Sequence, residues 1–375
     1  MKTSQDGSSA LQMNDQVISA KSPLVPSNSY FTLEVLLVGG FSILVSLGFW
    51  IFFDKSLSLA TVSSLAFAAA FVVNHPHFLS SYILLYSDFR KNIFRRKRYF
   101  LSAVVVPLVL LFVIGSALAT KDAKLMGNII TSMYFLVGWH YVKQVFGFVI
   151  VTSVHRKNFY SPSERKLLLA NLFSMWFLSF LGSHMGTGSF EFYGIKHFSL
   201  HLPTWLLTVD QFALVFTLFS LIYVHVVKYI ETGFIPSPPA VVAFSALYVW
   251  YIPAMSHPGF GYLIPFFHSL QYLTFVWLFK KNQVTSEISV FKGPARRQAW
   301  ILKFGGFVAA ACLLGALAFE FVPKALDNLN LIESGTLGYA PFLAAFLLFI
   351  NIHHYFIDST IWRSDNESVK KNLFS

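Results

Sequence analysis

Six histidines lie inside long apolar runs of the chain: His75, His77, His140, His268, His353 and His354. An ionisable side chain in hydrocarbon is costly and normally faces a cavity or a partner, so each is a functional candidate. Neutral imidazole is the commonest metal ligand and suits iron, zinc and copper. Three or four imidazoles with one position left open form a catalytic metal centre. Taken singly, each histidine has a plainer role as a hydrogen-bonding packing residue. Taken together, they fall at related depths on four segments that run in one direction, and this points to a shared cation. Cysteine takes no part, because the one cysteine, Cys312, sits alone in an apolar run.

Polar neighbours add detail. Asp358 follows His354 by four residues, so the two share a helix face. It either accepts a hydrogen bond that fixes an imidazole tautomer, or is an interfacial residue near a helix end. Lys143 and Gln144 lie about one turn past His140. They either contact a polar substrate group or line a helix seam. His184, His197, His201 and His257 cluster at the expected outer face and read as loop and interface residues. His155 and His225 are expected near the opposite surface, in water.

These residues need helices to hold them, and the composition says which kind. Hydrophobic residues make up 55% of the 375 residues and charged residues 12%, with a mean hydropathy of +0.60. A soluble domain carries roughly 25% charged residues, so most of this chain must meet lipid. A bilayer crossing takes about 20 apolar residues. That rule predicts an all-α transmembrane bundle with spans near Phe31–Phe53, Leu57–Tyr86, Leu101–Ala119, Met126–Ser153, Leu167–Met185, Trp205–Lys228, Pro239–Met255, Tyr262–Phe279, Ile301–Phe321 and Gly338–Trp362. The histidines of interest fall on the second, fourth, eighth and tenth of these ten spans.

The net charge of +11 is confined to clusters between apolar runs, which reads as membrane anchoring and not nucleic-acid binding. The loop after span two carries Arg90, Lys91, Arg95, Arg96, Lys97 and Arg98. The loop after span four carries Arg156, Lys157, Arg165 and Lys166, and the loop after span eight Lys280, Lys281, Lys292, Arg296 and Arg297. The alternate loops are poor in Lys and Arg. This asymmetry places both termini in the cytoplasm of a multi-pass protein, expected in a bacterial inner (plasma) membrane. Residues 1–29 are polar and read as a disordered tail, residues 30–363 as one helical domain, and residues 364–375 as a cytoplasmic tail. Phenylalanine numbers 42, either lipid-facing bulk or the lining of an aromatic cavity for a flat, greasy substrate.

Four short segments carry a resemblance: Pro76-His77-Phe78, Gly138-Trp139-His140-Tyr141, Phe266-Phe267-His268-Ser269-Leu270-Gln271-Tyr272 followed by Phe275-Val276-Trp277, and Ile352-His353 followed by Ile357-Asp358 and Ile361-Trp362-Arg363. In order and type they resemble the Brp/Blh-like β-carotene 15,15′-dioxygenases, integral membrane enzymes. The resemblance implies iron held by His77, His140 and His268. The family's second histidine of the third segment falls on Tyr272, so the fourth ligand is open among Tyr272, His353 and His75.

The reading that follows is a membrane-embedded, metal-dependent oxygenase, with iron as the expected metal and zinc as the alternative. Its substrate is lipophilic, polyene or isoprenoid-like, and reaches an aromatic site from the bilayer. Tyr272 and Asp358 are the expected catalytic side chains, and His77, His140, His268, His353, His75 and His354 the candidate ligands. A carrier, or a zinc-dependent intramembrane lipid hydrolase, is the competing class.

Overall fold

The computed structural model describes residues 33–52, 59–87, 96–186, 188–256, 258–332, 335–363 and 365–373. The N-terminal tail read at 1–29, His257, and Arg90, Lys91 and Arg95 lie outside the described residues.

The described chain is almost wholly helical. Helix α1 (Phe41–Phe52) follows a wide π turn at Leu36–Gly40. Then come α2 (Leu59–Ser87), α3 (Lys97–Ala119), α4 (Ala123–His155) and α5 (Pro162–His184). An antiparallel hairpin, β1 (Ser189–Phe192) with β2 (Ile195–Phe198), pairs Ser189 with Phe198. The chain continues as α6 (Thr204–Thr232), α7 (Pro238–Ser256), α8 (Ile264–Glu287), α9 (Gly293–Asn328), α10 (Pro341–Ile361) and a short α11 (Glu367–Leu373).

Eight of these, α3 to α10, are long and apolar enough to cross a bilayer, which marks a multi-pass membrane protein. The expected ten is thus met in part. The apolar helical stretch around α1, Leu33–Phe49, is shorter than a full crossing. The 29-residue α2 carries Asn74-His75-Pro76-His77 in its apolar run. Pro76 has no N–H for the carbonyl of Val72, so this helix gives up one backbone bond beside His77.

Local chemistry sets the helix ends. The Asp122 carboxylate accepts from the Leu125 amide (2.9 Å) to start α4. Ser161 and Glu164 form a capping box at α5. Asp327, at the end of α9, accepts from the amides of Phe342 (2.8 Å) and Leu343 (3.1 Å) and so caps α10.

Helices do not share the interior equally. In its most apolar stretch, 56% of α10 is buried, against 6% of α6. Phe212, Phe216, Phe219 and Tyr223 of α6 stand exposed, as side chains facing lipid do. Lipid is as apolar as a leucine side chain, so the inner helices associate by close packing and buried polar contacts. One core joins α4, α5, α7 and α8 around Trp250, Leu172 and Met175. A second joins α3, α4, the hairpin and α10 around Ile130, Ala344 and Leu348. The C-terminal ends of α2, α4, α8 and α10 meet at α11: Val369 and Leu373 pack with Phe279, Leu84 and Trp362, and the Leu373 carbonyl contacts His155 Nε2. The four histidine-bearing helices therefore do run in one direction.

Candidate metal centre

Each of those four helices contributes one imidazole to a single point. His77 (α2), His140 (α4), His268 (α8) and His354 (α10) each offer a ring nitrogen, and these atoms all lie within 4.8 Å of one another. The rings form a closed square: centroids are 5.0 Å apart for His77 and His268, 4.9 Å for His268 and His140, 5.0 Å for His140 and His354, and 4.5 Å for His354 and His77. None of the four is more than 4% exposed, so bulk solvent does not reach them.

The hydrogen bonds around the rings leave nitrogens free. The Ser269 hydroxyl donates to Asn74 Oδ1, so its oxygen accepts from His77 Nδ1–H at 2.8 Å. That fixes the His77 tautomer and leaves a lone pair on Nε2, which is buried without a partner. His140 Nε2, His268 Nδ1 and both nitrogens of His354 are likewise buried without partners. Native proteins rarely leave buried polar atoms unmet. Here one ring nitrogen from each of the four histidines converges on the others, as a cation site requires.

Aromatic rings close the surroundings. Tyr141 lies 4.2 Å from His268, Tyr272 4.3 Å from His77, Tyr355 stacks at 4.8 Å on His140, and Phe78 lies 4.9 Å from His354. A Cβ on Gly138 would fall 1.7 Å from Trp176 Nε1, so only glycine lets α5 approach α4 two residues before His140. Gln144 donates to the His268 carbonyl (3.0 Å) and to Gln271 Oε1 (2.8 Å). It therefore ties α4 to α8 as a seam residue. Lys143 is exposed, 5.9 Å above the Phe173 ring.

One carboxylate reaches the centre. Asp358 Oδ1 accepts from Tyr272 Oη (2.8 Å) and from Ser81 Oγ (3.0 Å), and Trp362 Nε1–H donates to Tyr272 Oη (2.9 Å). Asp358 Oδ2 lies 3.3 Å from His354 Nε2 and 3.7 Å from His140 Nε2.

The remaining histidines sit elsewhere. His353, one residue from His354, turns to α2 and α3: Nδ1 meets Tyr82 Oη (2.8 Å) and Nε2 meets the Ser102 carbonyl (2.7 Å). His75 stacks at 4.3 Å on Phe319 of α9 and lies 3.9 Å from Glu320 Oε1. Neither joins the four-histidine group. Tyr272 does not fill the fourth corner, because His354 does, and its hydroxyl is committed to Asp358. His184 and His197 are buried against Phe180, Phe190 and Tyr134, and His201 is exposed. His155 and His225, expected in water, are half-buried on the Leu373 and Leu221 carbonyls.

Sequence reasoning missed Asn74, Ser269 and Ser81. Their signal was spacing: Asn74 and Ser81 lie three residues before and four after His77, on its own helix face. Two open surface hollows lie away from the centre. One of about 550 Å³ sits at Tyr160, Glu164 and Lys228; the other, of about 360 Å³, lies between Arg96 and Arg363. Comparison of the chain with protein-family models, with curated proteins and with solved structures finds no match.

Proposed function

We propose that His77, His140, His268 and His354 bind one transition-metal ion, and that the chain is a membrane-embedded, iron-dependent oxygenase acting on a lipophilic, polyene or isoprenoid-like substrate. The observation that carries the metal reading is the set of buried imidazoles whose ring nitrogens lie within 4.8 Å of one another, with unpartnered nitrogens on all four. Neutral imidazoles suit iron, zinc and copper. Iron is favoured because His77, His140 and His268 fall on the iron-binding positions of the Brp/Blh-like resemblance. When bound, iron with open positions supplies oxygen activation.

The chain's own residues have defined tasks in this reading. Ser269 and Asn74 hold the His77 tautomer, with Ser269 Oγ at 2.8 Å from Nδ1. Tyr141, Tyr355, Tyr272 and Phe78 exclude water and offer flat faces to an extended apolar substrate. Such a substrate dissolves in the bilayer and enters between helices. We read ten crossings, with both termini in the cytoplasm of a bacterial plasma membrane, from the Lys and Arg asymmetry of the loops.

Metal analysis of gently purified protein tests the centre. About one iron per chain is expected, together with oxygen consumption when a carotenoid is supplied in detergent. Zinc without oxygen uptake would move the reading to a hydrolase, and no metal at all would remove the enzyme.

A further inference from the structure

The carboxylate of Asp358 is the part of the centre that four histidines do not explain. We infer that Asp358 Oδ2 is a fifth donor to the cation held by the four imidazoles, which makes the site a four-histidine, one-carboxylate centre. This rests on the metal reading above.

Geometry supports direct ligation. Oδ1 is held by Tyr272 and Ser81, so the carboxylate has one anchored oxygen and one presented oxygen. The presented Oδ2 is buried and has no hydrogen-bond partner. It comes within 3.3 Å of His354 Nε2 and 3.7 Å of His140 Nε2, yet neither contact meets hydrogen-bond geometry, since both nitrogens are also unpartnered. Two donors at right angles, each about 2.1 Å from one cation, sit about 3 Å apart. The spacings to His354 and His140 are close to that, while Asp358 lies outside the group whose ligand atoms are all within 4.8 Å of one another, so ligation requires the carboxylate to move towards the ion.

Charge supports it as well. Four neutral imidazoles bring no charge to a divalent ion in a buried core. A buried carboxylate with one oxygen unpartnered is destabilising there. Each deficiency is the other's remedy: the carboxylate halves the net charge of the filled site, and the cation meets the unpaired oxygen. Five protein donors leave a six-coordinate metal one open position, which selects iron or another metal accepting more than four ligands over tetrahedral zinc.

Cobalt(II) tests this, because its visible bands are strong when four-coordinate and weak when five- or six-coordinate. The full-length chain, stripped with chelator and refilled with cobalt, is expected to show weak bands. Asp358→Ala is expected to bind cobalt roughly 10–100-fold more weakly and to show the stronger bands of four histidines. Asp358→Asn, which preserves packing, should match it if the alanine variant misfolds. Unchanged bands in both variants, even with weaker binding, overturn direct ligation while leaving the four-histidine centre standing. A wild-type chain that takes up no cobalt overturns the centre and this assignment together.

A second, independent feature lies at the end of the bundle where α3 begins and α10 ends. The cavity of about 360 Å³ there is lined by Arg96, Lys97, Arg98 and Arg363, with Asp365 as its one carboxylate. Asp365 is already shared by Arg98 (3.2 Å) and Arg363 (3.1 Å). That leaves Arg96 and Lys97 without an acidic partner among the described residues. We propose that this cavity binds the phosphate of an anionic lipid headgroup, the chemistry such juxtamembrane basic pockets recognise. Added phosphatidylglycerol should raise the unfolding temperature of detergent-solubilised protein, phosphatidylcholine should not, and Arg96→Gln with Lys97→Gln should abolish the rise. An equal rise in that double variant, or with inorganic phosphate alone, overturns the lipid assignment.

Discussion

Two neighbouring residues of α10 face opposite fates. His353 and His354 are both buried, at 1% and 0% exposure, and a helix turns them about 100° apart. His353 has both nitrogens satisfied, by Tyr82 and the Ser102 carbonyl. His354 has neither satisfied, and its ring packs edge-on against two other imidazoles, His77 and His140. Burial alone therefore does not distinguish a ligand from a packing residue. The distinction lies in whether the lone pairs are already spent. The hairpin side adds a second condition: His184 and His197 each also bury an unpartnered Nδ1, but they press on aromatic rings and lie outside the four-histidine group, so unmet nitrogens must also converge.

The contrast can be broken most directly at the centre. His354→Ala or His268→Ala is expected to lower bound metal at least about 10-fold, because a lost donor removes a whole bond. His353→Ala should leave metal content unchanged. Equal loss in both would erase the difference between the two faces of α10, and elemental analysis of the purified variants decides it.

Metal removal comes next. A ligand present at 100 times its Kd stabilises by about 2.7 kcal/mol, so chelation should lower the unfolding temperature of wild type and leave that of His354→Ala unmoved. A chelator effect of the same size in both proteins would mean that the stabilising ion sits elsewhere.

His353→Phe should cost about 1–3 kcal/mol, since it strands the Tyr82 hydroxyl and the Ser102 carbonyl in the core. Thermal unfolding at constant metal loading reads this. A variant as stable as wild type would show those bonds to be dispensable.

The smallest effect concerns the hairpin. Burial, helped by the neighbouring His184, holds His197 below the ordinary value of 6.5. The folded state thus keeps this imidazole neutral while the unfolded chain protonates it. No penalty exists above about pH 6.5, and destabilisation grows as pH falls below it. Between pH 8 and 5 the unfolding temperature should fall more steeply in wild type than in His197→Gln. Parallel slopes would detach His197 from the acid response.

Much of the architecture was legible in the residues. Apolar runs located α3 to α10, and the shared direction of the histidine-bearing helices followed from counting them. His77, His140 and His268 stood out because polar groups in apolar helices are rare. The four-residue step from His354 to Asp358 placed both on one face. The choice between His353 and His354 was not legible: adjacent residues differ only by helix rotation, and both fall in one apolar run with buried faces on either side. The role of Tyr272 was equally hidden, because its partners Ser81, Asp358 and Trp362 come from α2 and from the end of α10.

The sequence alone settles that this is a helical membrane protein with imidazoles in hydrocarbon. Hydropathy is a sum over local residues and needs no knowledge of neighbours. Which imidazoles meet was decided by tertiary packing, through the phase of each helix and close approaches such as Gly138 against Trp176. Convergence depends on distances between segments up to hundreds of residues apart, and no local property of the chain encodes those distances.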